Sequence, residues 1–81
     1  MSEAQDSNTK IIYIRLLDEG TSVFRPVDAV MVSPDVFQIL KSNDYDVEDE
    51  KWEFIPGTTV QCQEEVRDGE SVLVAIRELN Q

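Results

Sequence analysis

The chain predicts an all-β domain, a small SH3-like barrel of five to six short antiparallel strands. Three observations lead there. Short runs rich in Val, Ile, Phe and Tyr alternate apolar with polar residues. Turn signals interrupt them about every eight to twelve residues. No stretch holds a helical period long enough to make a convincing helix. With 81 residues there is room for one domain, near the lower end of what folds without disulfides or metal.

Residues 1–9 have no apolar periodicity and read as a flexible acidic tail, leaving 10–79 as the single domain. The first strand is Ile11-Ile12-Tyr13-Ile14-Arg15-Leu16-Leu17. Ile12, Ile14 and Leu16 share one face, and Ile11, Tyr13 and Leu17 on the other predict a strand covered on both sides. Asp18-Glu19-Gly20-Thr21 is a turn, two carboxylates followed by a glycine able to take positive φ. The second strand runs from Val23 to Val32, and Pro26 within it demands an edge, a bulge or a bend. After Ser33-Pro34-Asp35, the segment Val36 to Leu40 reads as a strand with Phe37 and Ile39 inward. The competing reading is a short helix capped by Ser33, but β-branched and aromatic content favours the strand. Trp52 and Phe54 share an inward face, and Pro56-Gly57 fits the central positions of a type II turn. The final hairpin admits two registers. A three-residue loop, Arg67-Asp68-Gly69, sets Val60 opposite Ile76 and Cys62 opposite Val74, gathering the apolar residues on one face. A two-residue Asp68-Gly69 loop shifts everything by one and places Val72, Val74 and Ile76 opposite polar partners. Patterning favours the three-residue loop.

Composition excludes several function classes. There is no histidine and one cysteine, Cys62. That removes the commonest general base, the Ser-His and Cys-His nucleophile pairs, an internal disulfide and the usual zinc sites. The expectation is therefore no catalytic residue, no cofactor and no metal. Seventeen acidic against seven basic residues give a net charge of −10. Such a surface repels nucleic acid and anionic membrane and suits a basic protein partner. No apolar run reaches the roughly 20 residues of a membrane span, and Met1 to Asn8 lacks a signal-peptide pattern, which predicts a cytoplasmic protein.

Charge is concentrated in one place. Asp44, Asp46, Glu48, Asp49, Glu50 and Glu53 are opposed within that segment by Lys51 alone, a net −5. Carboxylates at alternate positions invite a calcium-loop reading, but Asp49 stands where such a loop needs glycine. Asp44, Asp46, Glu48, Asp49 and Glu50, together with Arg25, are instead the candidate interaction surface. Arg25 lies between Phe24 and Pro26, and its guanidinium is expected to pair with Glu19 or Glu53. Trp52, the only tryptophan, and Cys62 read as core.

The stretches Leu16-Leu17-Asp18-Glu19-Gly20-Thr21, Val23, Arg25-Pro26-Val27 and Glu50, Trp52-Glu53-Phe54, Pro56-Gly57, Val60, Cys62 resemble a family of short uncharacterised bacterial proteins. The resemblance spans Ile11 to Ala75. Phe24 stands where that family usually has Trp, so the aromatic is kept. A small standalone bacterial domain is what the resemblance implies, and no activity comes with it. The functional expectation is a non-enzymatic protein-interaction module, with a homodimer among its contacts because strands one and two carry more apolar surface than a small core can bury. An immunity or antitoxin-like protein covering a basic partner is a sharper form of that reading. A metal-dependent hydrolase using 44–53 is the alternative from another class.

Overall fold

The computed structural model describes residues 9–20 and 22–79. Six strands form one sheet: β1 (Thr9–Leu17), β2 (Phe24–Ser33), β3 (Val36–Ile39), β4 (Lys51–Trp52), β5 (Thr59–Arg67) and β6 (Glu70–Glu78). Neighbours run β2-β3-β5-β6-β1, the added β1–β2 pairing closes the ring, and β4 attaches to β1. This is the small all-β barrel that the alternating runs predict. One pairing departs from the antiparallel expectation: β1 and β6 run parallel at Tyr13 and Val74. The reason is parity. Five strands joined as a meander alternate up and down, so the first and fifth point the same way when the ring closes. The residues assigned to the acidic tail lie outside the described part, except Thr9, which opens β1 opposite Val30. Among the described residues no helix is long and apolar enough to cross a membrane.

Alternation in β1 places Ile12, Ile14 and Leu16 in the core with Val27, Ala29, Phe37, Ile39, Trp52, Phe54, Val60, Cys62 and Ala75. Val36–Ile39 is a strand, and Phe37 and Ile39 point inward as expected. The opposite face of β1 is covered only in part, at Tyr13, which is half-buried beside Val74 of β6. Ile11 is 50 % exposed and Leu17 36 %, because one small barrel has a single interior and no described residue packs outside it at those positions. In the first turn the positive φ falls on Asp18, at φ 64, and not on Gly20. Aspartate tolerates this region better than most residues.

Pro26 sits at an edge. Leu16 N–H donates to the carbonyl of Val23, so odd-numbered residues of β2 bond to β1 and Pro26 faces away. On that side β3 begins pairing only at Ala29. The gap is closed by Asn43, whose Oδ1 accepts from Asp28 N–H at 2.9 Å while Nδ2 donates to the Asp28 carbonyl at 2.8 Å. A proline followed by a side-chain cap leaves little edge for another strand to join.

The final hairpin takes the two-residue loop, against the apolar pattern. Cys62 opposes Ala75, Gln63 opposes Val74 and Arg67 opposes Glu70. Asp68 and Gly69 both have positive φ, 53 and 82, the requirement of a type I′ turn whose twist matches the flanking strands. Patterning misleads here because only the lower hairpin has an interior to face. Val60, Cys62 and Ala75 reach the core, whereas Val66 near the tip is 75 % exposed. A register shift between Gln61 and Cys62, where Ile76 is the extra residue, adjusts the ladder below them. Pro56-Gly57 forms the expected type II turn: Thr58 N–H donates to the Ile55 carbonyl at 3.1 Å, and Gly57 has φ 95.

Candidate interaction site

The acidic segment 44–50 is ordered by its own backbone and by three anchors. Asp46 Oδ1 accepts from Glu48 N–H at 2.9 Å, and the Asp46 carbonyl accepts from Asp49 and Glu50, each at 3.0 Å. These are the local turns that Asp favours. Asn43 ties the start of the loop to β2, as described above. Tyr45 packs on Trp52 with ring centroids 4.7 Å apart, tilted at 49°. At its far end the loop is held by Glu50.

Glu50 is the joint of that end. Arg25 donates from Nε to Glu50 Oε1 at 2.5 Å and from Nη2 to Oε2, a two-pronged pairing. Trp52 Nε1 donates to the same Oε1 at 2.9 Å, so the indole N–H is satisfied although the ring is buried. The expected partners Glu19 and Glu53 are therefore displaced. Glu53 instead uses its backbone N–H, which donates to the Arg15 carbonyl at 2.9 Å beside β4. That pairing fixes the strand direction and turns the Glu53 side chain outward, while Trp52 and Phe54 face in.

Hydrogen bonds from Arg25 first, and from Trp52, hold the Glu50 carboxyl below its ordinary pKa. A carboxyl whose pKa falls on folding stabilises the fold above its unfolded value, roughly 4.3, and loses that contribution as pH drops through the folded value. The Arg25 side chain is 46 % exposed, so the pair contributes under about 1 kcal/mol after solvent screening. Acidification also relieves repulsion among the other carboxylates, so the comparison needs a variant. The denaturation midpoint of the natural chain, read by Trp52 fluorescence, should approach that of Glu50→Gln as pH falls below about 4. A gap between them that stays constant with pH would contradict this role.

Beside this joint lies a shallow open groove. The turn after β1 and the acidic loop form its walls, with Leu17, Asp18, Glu19, Val47, Glu48, Asp49, Glu50 and Lys51 lining it. Of the predicted surface residues, Glu48, Asp49 and Glu50 meet here. Asp44 and Asp46 are exposed outside the groove, and Arg25 acts from behind through Glu50. Sequence reasoning missed Leu17, Asp18, Glu19, Val47 and Lys51 as parts of one site. They converge because β4 pairs with the end of β1, Leu17 opposite Lys51, a contact no local pattern announces. Lys51 Nζ lies 3.4 Å from Asp18 Oδ2 across the groove.

The carboxylates line a surface and do not converge on a point. Among the described residues no group of three or more Asp, Glu or Cys side chains is arranged to hold a metal ion. No family model, curated protein or solved structure matches this chain. Cys62 is buried, and burial first, then the charge of Asp35, pushes its thiol up to about 11. Such a shift favours the thiol over the reactive thiolate at neutral pH.

Proposed function

We propose that the protein is a cytoplasmic, non-enzymatic interaction module whose groove between the β1–β2 turn and loop 44–51 docks a basic segment of a protein partner. The observation carrying this reading is the groove lining. Five carboxylates and one lysine surround the exposed side chains of Leu17 and Val47. A segment alternating basic and apolar side chains complements both features. Charge would steer its approach, and the apolar contacts would hold it. The same charge disfavours nucleic acid and anionic membrane.

The test uses a short peptide alternating lysine and leucine, titrated against the isotope-labelled chain. Amide shifts should concentrate at residues 17–19 and 47–51. Affinity should fall several-fold between about 50 and 300 mM salt, as exposed charges are screened over about a Debye length. The paired change Glu48→Gln and Asp49→Asn should weaken binding by a similar factor. Shifts scattered over the whole surface, or confined elsewhere, would rule the groove out. An acidic peptide of the same length is the control.

A further inference from the structure

The outer face of the β1–β2 ladder differs from the rest of this acidic surface. Its opposed pairs are Ile11 with Asp28, Tyr13 with Pro26 and Arg15 with Phe24, and Val74 of β6, already covered at 4 % exposure, borders Tyr13. Ile12, Ile14 and Val27 point into the barrel, so these residues point out. Ile11, Arg15, Pro26 and Asp28 are exposed, and Tyr13 is half-buried. Ile76, two residues beyond Val74, is 43 % exposed. Phe24 carries the Arg67 guanidinium over its ring at 4.4 Å, which closes that corner. Two opposite charges remain, Arg15 at one end of β1 and Asp28 at the other end of the facing strand. Neither takes part in an ion pair among the described residues.

We propose that this face joins two copies of the chain, with Arg15 of each meeting the partner's Asp28. A two-fold axis over the Tyr13–Pro26 pair, perpendicular to the strands, reverses strand direction and keeps β1 above β1. It lays the Arg15 end of one copy on the Asp28 end of the other, and Tyr13 and Pro26 meet their own counterparts. The charges are thus self-complementary, as an isologous interface requires. On the outward face of this ladder the two charges sum to zero in a chain of net charge −10, and Arg67 beside them is paired with Glu65, so the copies meet here without opposing like charges. Asp28 is held for the purpose, since Asn43 and Leu40 bond its backbone and leave its carboxylate free. The apolar area is small and the barrel curved, which makes the dimer weak. This inference uses a surface separate from the groove and stands without the basic-partner reading.

Sedimentation velocity of the full chain between about 10 µM and 1 mM should show a reversible monomer–dimer equilibrium with Kd on the order of 100 µM. Arg15→Asp and Asp28→Arg should each weaken it about tenfold or more, because each brings like charges together. The double variant R15D/D28R should return to within about threefold of the natural chain, since the pair is merely exchanged. Circular dichroism checks that each variant keeps its fold. Concentration-dependent amide shifts at Ile11, Tyr13, Arg15 and Asp28 of the natural chain test the same face without any substitution. A strict monomer at 1 mM, a dimer indifferent to both single reversals, or a double variant with no recovery would each overturn the proposal.

Discussion

Phe37→Ala is expected to remove about a third or more of the domain's stability and to lower its urea midpoint sharply. Phe37 is 2 % exposed and belongs to the four-residue strand β3, opposite Met31 of β2 and Val60 of β5. Truncating a buried phenylalanine costs about 3–5 kcal/mol, through lost transfer energy and the cavity left behind. At roughly 0.05–0.15 kcal/mol per residue, a domain of 81 residues has only about 4–12 kcal/mol to lose. β3 bridges β2 and β5 and is held in the core by two side chains, Phe37 and Ile39, so truncating one of them weakens the ring at that point. Phe37→Leu, which retains most of the volume, should cost less than about 1.5 kcal/mol and keep the barrel. Urea denaturation followed by Trp52 fluorescence separates the two. An alanine variant whose midpoint stays within a few tenths molar of the natural chain would show that β3 is not a pillar of the core.

The same residues show what was legible in advance. Wherever a strand has one buried face, alternation alone identifies it: Ile12, Ile14 and Leu16 in β1, Phe37 and Ile39 in β3, Val60 and Cys62 in β5. Turn chemistry was equally readable at Pro56-Gly57, because its geometry is local. At Asp68-Gly69 the apolar pattern misleads for the opposite reason. Two left-handed residues set the hairpin's register, while the apolar pattern implies an interior that the upper hairpin does not have. The carboxylate that pairs with Arg25 is not readable from the sequence, because it depends on where β4 docks. That docking rests on a two-residue strand with no periodicity to read. The groove shares that difficulty. Its acidic wall was visible as a run of charge, and its other wall at Leu17 to Glu19 came into view only with the pairing of Leu17 and Lys51.

Trp52 joins the core to the candidate site, and its substitution should disturb both. The ring is 4 % exposed within the core cluster, so Trp52→Ala should cost about 3–5 kcal/mol, comparable to the loss at Phe37. The alanine also removes the platform under Tyr45 and the N–H that helps hold Glu50. Any folded fraction would therefore carry an acidic loop tied down only by Asn43 and the Arg25–Glu50 pair. Trp52→Phe separates these contributions. It keeps an aromatic under Tyr45 and most of the buried volume, and deletes the hydrogen bond to Glu50. Its stability loss should be nearer 1–2 kcal/mol, one hydrogen bond and part of a ring. Amide exchange should then speed up in 45–50 while β1, β3 and β5 stay protected, because the loop opens before the barrel does. Equal acceleration throughout would mean that the loop and barrel unfold as one unit, and the groove would then have no independent wall to move.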